Sequence, residues 1–130
     1  MIKMKHIFFA VILAVAMLSF QKDSGFLNNA FKAGDAKTIA SYFQPKVEIN
    51  IPGSEGLYSK NQAELMIKKF FENNPPQKYE LLHNGSSNGG DNYVIGKYTS
   101  TNTIFRTFVL YHVENGKPVI TEFRIEPFKE

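Results

Sequence analysis

Between Phe26 and Gly53 the apolar positions change their period from helical to alternating. Phe26, Leu27, Ala30 and Phe31 recur at helical spacing, and so do Ala36, Ile39, Ala40 and Phe43. Two short helices are therefore predicted, each with an apolar face turned toward a common core. Gly34 stands between them as a left-handed stop, and Asp35 follows as the cap of the second. Pro45 is expected to end the helical stretch, because proline cannot continue it. Val47, Glu48, Ile49, Asn50 and Ile51 then alternate as a half-buried strand, with the apolar set favoured as inward.

A capping box at Ser59 and Gln62 opens a third helix, whose stripe is Ala63, Met66, Ile67, Phe70 and Phe71. Asn73-Asn74-Pro75-Pro76 closes it. Four strand-like runs follow, at 77–86, 92–100, 103–113 and 118–128, with a glycine- and serine-rich loop between the first two. The predicted order is α-α-β-(β)-α-β-β-β-β. Helices first and antiparallel hairpins last argue for an α+β layer fold in a single domain, residues 22–130.

The last hairpin can be read in register. With Asn115-Gly116 as a two-residue turn, His112 faces Val119, Leu110 faces Thr121, Phe108 faces Phe123 and Arg106 faces Ile125. The drier face then carries Phe108, Leu110, Val119, Phe123 and Ile125, and it is predicted to be the concave side packed on the helices. Arg106, His112 and Thr121 are its polar exceptions. The opposite face would carry Thr107, Val109, Tyr111, Ile120, Glu122, Arg124 and Glu126, with Phe105 beside them. It reads either as a wet exterior or as a dimer surface.

The N-terminal segment changes the meaning of the charge. Lys3, Lys5 and His6 precede an apolar run from Ile7 to Leu18, and polar residues return at Gln21, the layout of a secretory signal over residues 1–21 with cleavage between 16 and 21. The run is shorter than the roughly 20 apolar residues of a membrane span. Export to a soluble periplasmic or extracellular compartment is expected, with the membrane met only through the signal. Its removal lowers the basic count from 15 to 13 against 12 acids, so no nucleic-acid partner is predicted. The chain has no cysteine, which excludes disulfides and thiolate metal clusters. No phosphate loop and no nucleophile elbow occur, and no metal or cofactor is predicted.

The helix–Gly34–Asp35–helix block, with its exit through Phe43 and Pro45, resembles the nuclear-transport-factor-two-like superfamily, the cone-shaped α+β fold shared with ketosteroid isomerase and scytalone dehydratase. The resemblance covers about 24–128 and implies three helices on the concave face of a strongly curved, mainly antiparallel sheet. In isomerase members the cone holds a tyrosine, a carboxylate base and a second acid. Those positions fall here on Leu27, Ile51 and about Leu110, all apolar, which removes the proton acceptor and the oxyanion donor that reaction needs. Dehydratase members use an inward histidine and acid, for which His112 with Glu48 or Asp91 are the available groups. Sheet-to-sheet dimers are common in the superfamily.

Arg106 is the leading candidate for a ligand contact, since a guanidinium on an apolar concave face needs a carboxylate, a carbonyl or a ligand to satisfy it. His112, Tyr42, Thr121, Phe108 and Phe123 complete the candidate ligand-binding set, and no catalytic residue is assigned. The expected function is non-catalytic binding, of a small apolar or anionic molecule in the cone or of a protein partner on the sheet. The alternatives are a cryptic isomerase, dehydratase or cyclase, and a structural homodimer.

Overall fold

In the computed structural model, which describes residues 24–129, helix α1 (Asn28–Ala33) stops at Gly34 with φ 63° and ψ 37°. A left-handed residue here lets the next two amides turn back: Gly34 N–H donates to Phe31 O at 3.2 Å and Asp35 N–H to Ala30 O at 2.8 Å. The Asp35 carboxylate then accepts from the backbone N–H of Thr38 (3.0 Å) and from its hydroxyl (2.6 Å), and so caps α2 (Ala36–Ser41). Those hydrogen bonds hold the Asp35 carboxyl below the usual range.

Helix α2 ends earlier than Pro45. Phe43 leaves the helical stripe and opens β1 (Phe43–Ile51) as a buried strand residue. Pro45 sits exposed inside that strand, between the two points, Phe43 and Glu48, where pairing with the last strand, residues 117–127, is interrupted, so its missing N–H breaks no ladder bond there. Val47, Ile49 and Ile51 point inward as expected. A turn at Pro52-Gly53 leads to β2 (Ser54–Ser59), the optional strand of the sequence-based order. The capping box of α3 (Lys60–Asn73) forms as read: Gln62 N–H donates to Ser59 Oγ at 3.2 Å and Ser59 N–H to Gln62 Oε1 at 3.3 Å.

Strands β3 (Pro76–Ser86), β4 (Asn92–Ser100), β5 (Ile104–Glu114) and β6 (Lys117–Pro127) complete one six-stranded sheet in the order β2-β1-β6-β5-β4-β3. Only β1 and β6 run parallel. The three helices pack on one face, through Leu27, Phe31, Ile39, Ala63, Ile67, Phe70 and Phe71, so the α+β order and layering match the sequence-based expectation. The predicted signal segment, 1–21, lies outside the described residues.

The β5–β6 hairpin turns at Asn115 (φ 51°) and Gly116 (φ 77°), both left-handed as a two-residue turn requires, and its first pairs match the reading: Glu114 with Lys117, His112 with Val119. Between Tyr111–Ile120 and Leu110–Glu122 the register slips by one residue, because Thr121 is an extra residue on β6. Its hydroxyl donates to Leu110 O at 3.3 Å. Beyond the bulge Val109 pairs with Phe123, Thr107 with Ile125 and Phe108 with Arg124. A one-residue slip exchanges the faces of one strand relative to the other. The concave face of β5 is therefore Phe105, Thr107, Val109 and Tyr111, all buried, and Arg106, Phe108, Leu110 and His112 stand on the outer face. This reverses the face assignment for β5. Phe123 and Ile125 of β6 are inside as expected, whereas before the bulge Ile120 is inside and Val119 outside, the reverse of the reading.

Candidate functional site

The interior of the cone is filled by aromatic rings. Phe31 of α1, with no exposed surface, stacks on Tyr79 (4.4 Å between centroids, 9° between planes) and on Phe123 (5.9 Å, 12°). Phe71, Tyr98, Phe70 and Phe105 continue the cluster toward the far end. Gly96 makes room for it, since a Cβ there would run into the ring and hydroxyl of Tyr79. The buried hydroxyls are satisfied: Tyr79 Oη lies 3.3 Å from Thr107 Oγ1, and Tyr98 Oη donates to Asn74 O at 2.6 Å. Burial pushes both phenols up, with the Thr107 hydrogen bond opposing the rise at Tyr79.

Leu27 and Ile51, which occupy the tyrosine and base positions of the isomerases, are buried in this packing. Leu110 is on the outer face, and its inward neighbours on β5 are Val109 and Tyr111. The buried polar residues of the described core are Asn92, Ser100 and Thr107. Among the described residues no group of three or more His, Cys, Asp or Glu side chains could hold a metal. At the end of the cone a groove of about 420 Å³ opens between the β1–β2 turn and α3, lined by Ile51, Met66 and Phe70 with Lys69, Asn73 and Asn74 among the polar residues.

The predicted site residues are divided by the sheet. Phe123 is buried in the aromatic cluster, and Tyr42 is half-buried against Phe26 at 5.0 Å. Thr121 is the bulge. Arg106, Phe108 and His112 lie on the outer face, so the concave placement expected for them is corrected by the Thr121 slip. Phe105, Tyr111 and Ile120, read as part of an outer or dimer surface, are core residues.

On the outer face Phe108 lies at the centre of a chain of contacts running across four strands. Tyr93 on β4 stacks against it (6.3 Å, 16°), and Tyr93 Oη is 3.2 Å from His83 Nε2 on β3. From the β6 side the Arg124 guanidinium covers the ring at 5.6 Å and donates from Nη2 to Glu122 at 2.7 Å. Ile95, Leu110 and Val119 are half-buried around this chain. His112 Nε2 is 3.0 Å from Glu114 Oε1 near the hairpin end.

Arg106 stands in a transverse row, facing Lys97 on one side and Glu126 on the other, with no hydrogen bond or ion pair among the described residues. Lys97 reaches the Phe128 ring at 5.1 Å. Sequence reasoning missed Tyr93 and Lys97 as members of this face. The signal lay in β4, where Asn92, Val94, Gly96, Tyr98 and Ser100 alternate with Tyr93, Ile95 and Lys97. Pairing that strand with β5 places Arg106 beside Lys97 and outside.

The comparisons with known proteins follow this geometry. None of the curated proteins matches the chain. Among solved structures it resembles a DUF4783 family protein from Bacteroides ovatus, at 24% identity and a TM-score of 0.75 over 85% of this chain and 99% of that one. A DUF4783 family protein from Bacteroides uniformis is similar at 26% identity and 0.74, covering 84% and 100%. An NTF-2-like protein of unknown function from Silicibacter pomeroyi shares the fold at 12% identity and 0.59, over 92% and 98%. Residues 26–126 match the family model described as "Domain of unknown function (DUF4783)", and the chain belongs to that family, with a nuclear-transport-factor-two-like fold.

Proposed function

We propose that this chain is an exported, non-catalytic binding domain that works through the outer face of its sheet and not through a cavity in its cone. The observation that carries the reading is the contrast in filling: Phe31, Tyr79, Tyr98 and Phe123 pack the interior at ring-contact distances, whereas the outer face leaves apolar side chains half-exposed. A proton-transfer site would need a carboxylate or imidazole facing a space for substrate. The inward positions instead hold Leu27, Ile51, Val109 and Tyr111.

The outer aromatics suit a protein surface better than a sugar or a base. Strands β4 and β6 flank β5, and Tyr93 and Arg124 already engage the Phe108 ring on which a planar ligand would stack. A macromolecular partner can instead bury the ridge of half-exposed side chains, with Arg124 and Tyr93 as the aromatic and arginine anchors such contacts favour. Export rests on the charged start and short apolar run of residues 1–21.

Native mass spectrometry of the full chain purified from the cell envelope of its own organism tests the reading. The expected species is the chain without its first 16 to 21 residues, carrying a protein partner or a second copy and no small-molecule adduct. Leu110→Glu on the outer face is expected to release that partner without lowering the melting temperature. A stoichiometric small-molecule adduct that survives Leu110→Glu would overturn the reading, and the groove beside Ile51, Met66 and Phe70 would become the binding site. An intact Met1 terminus in washed membranes would overturn export.

A further inference from the structure

We propose that Asn88 is a self-modification site: in the folded chain its side-chain amide is lost to ring closure by the backbone nitrogen of Gly89, leaving aspartyl and isoaspartyl links in the β3–β4 loop. The chain contains three Asn-Gly pairs, Asn84-Gly85, Asn88-Gly89 and Asn115-Gly116. By local sequence all three carry the same chemistry, because a glycine has no Cβ to hinder the approach of its nitrogen. The fold separates them.

The reaction needs only water. Gly89 N gives its proton to a solvent base and attacks Asn88 Cγ, forming an N–Cγ bond. The Cγ–Nδ2 bond breaks, Nδ2 takes up a proton and leaves as ammonia, and a five-membered succinimide is closed. Water then opens the ring. Attack at Cγ restores the ordinary backbone with an aspartate side chain, and attack at the main-chain carbonyl carbon of Asn88 reroutes the backbone through Cβ and Cγ as isoaspartate. Either product adds one negative charge.

Ring closure requires a glycine N–H that no hydrogen bond holds, and an asparagine free to turn about its Cα–C bond until that nitrogen lies over Cγ. Asn84 and Gly85 stand inside the β3–β4 ladder, opposite Val94 and Tyr93. Ser87 N–H donates to Asp91 O at 2.8 Å just beyond the end of that ladder. Hydrogen-bonded pairs alternate along antiparallel strands, so Gly85–Tyr93, two residues back, is such a pair and commits the Gly85 N–H. Asn115 is restrained differently. Its φ of 51° and the 77° of Gly116 are the left-handed pair that a two-residue hairpin requires, and turning Asn115 toward ring closure pulls apart the Glu114–Lys117 pair that closes β5 on β6.

Asn88 has neither restraint. Gly90 N–H donates to Ser87 O at 3.2 Å, which makes Ser87–Gly90 a β-turn with Asn88 and Gly89 at its centre. Neither central residue has a positive φ, the type I pattern. Ser87 anchors the loop, its N–H and its hydroxyl both donating to Asp91 O, the hydroxyl at 3.3 Å. Asn88 and Gly89 are exposed and make no hydrogen bond among the described residues, and a Cβ on Gly89 would meet nothing within 4 Å. Turning Asn88 therefore costs one long hydrogen bond in a loop whose ends stay fixed. No residue of 87–91 belongs to the described core, so the fold survives the change and the effect is one of charge. Against the 13 basic and 12 acidic residues that remain without residues 1–21, one new carboxylate abolishes the formal net charge and the repulsion it supplies between copies.

Ageing the purified chain in warm, mildly alkaline buffer made with heavy-oxygen water, followed by peptide mass spectrometry, tests the proposal. The Asn88 peptide should gain three daltons, one for the exchange of amide for acid and two for the heavy oxygen, and fragmentation should show both aspartate and isoaspartate. Asn88 should convert about tenfold or more faster than Asn84 and Asn115, the ratio given by an opening cost of about 1.4 kcal/mol at the two held sites. In concentrated urea the three rates should converge. Gly89→Ala, whose Cβ hinders the attack, should slow conversion by a similar factor and leave the melting temperature unchanged. Conversion of Asn84 or Asn115 as fast as Asn88 in the folded chain overturns the proposal. So does an Asn88 that converts only in urea, a product that is aspartate alone, or a Gly89→Ala chain that converts at the wild-type rate.

Discussion

The same strand, β5, presents two chemistries that differ in how completely their groups are satisfied. Toward the helices Phe105, Thr107, Val109 and Tyr111 are buried, and the polar member, Thr107, is matched by the Tyr79 hydroxyl. Toward the outside Arg106, Phe108, Leu110 and His112 are all half-buried, and Arg106 lies between Lys97 and Glu126 without an ion pair among the described residues. A face that only had to be wet would not need Phe108 and Leu110, and a face that only had to be core would not carry Arg106. The difference places stability on the inner side of the sheet, and the proposed recognition on the outer side.

Truncating one ring on each face should break the comparison most visibly. Phe31→Ala removes a fully buried ring that touches four other aromatics, and is expected to cost about 3–5 kcal/mol in urea denaturation. Phe108→Ala in the isolated chain should cost about 1 kcal/mol or less, because part of its surface is already in water. Equal losses would mean that the outer ring is as much a part of the core as the inner one.

Two glycines sharpen the same contrast. A Cβ on Gly96 would collide with Tyr79, whose ring is pinned between Phe31 and the sheet, and Gly96→Ala should cost about 1–3 kcal/mol. A Cβ on Gly85 would collide with the Tyr93 ring to a similar degree, but that ring is half-exposed on the outer face and can swing away. Gly85→Ala should therefore change stability by about 0.5 kcal/mol or less. Similar denaturation midpoints for the two variants would remove the distinction between a locked and a free tyrosine.

The helix cap, away from both faces, gives a smaller effect than the core substitutions. Asp35→Ala is expected to cost about 1 kcal/mol. The Thr38 hydrogen bonds lower the Asp35 carboxyl in the folded chain, so the native state takes up this proton less readily than the unfolded one. The stabilisation is present above the ordinary carboxylate value, near 4, and is lost as the pH falls through the lowered folded value. The gap in melting temperature between wild type and Asp35→Ala should shrink on acidification, and a gap constant from neutral pH down to about 2 would contradict the role of the ionised cap.

What was legible in the sequence was what neighbours in the chain decide. Gly34-Asp35, the Ser59–Gln62 box and Asn115-Gly116 are each complete within a few residues, and each forms as read. The strand order followed from lengths and turns. Pro45 misled because proline stops a helix from within the chain, but tolerates a strand wherever the partner strand makes no bond, which only tertiary pairing reveals. The β5 faces were lost for a similar reason. An uninterrupted ladder from Asn115-Gly116 is the simplest register, and nothing local marks Thr121 as the residue that β6 leaves unpaired. That single residue moved Arg106, Phe108 and His112 from the expected cone to the outer surface, while Phe123, beyond the bulge, kept its place inside.

The most direct measurement is the protection of methyl groups from a soluble paramagnetic agent, read by NMR on the dilute isolated chain and on the chain saturated with the protein partner that Leu110→Glu releases. Val94, Val109 and Ile120 should be protected in both, because their side chains face the filled interior. Ile95, Leu110 and Val119 should be broadened in the isolated chain and protected in the complex, since only association covers them. Broadening of Ile95, Leu110 and Val119 to the same extent in both samples would contradict the assignment of recognition to the outer face.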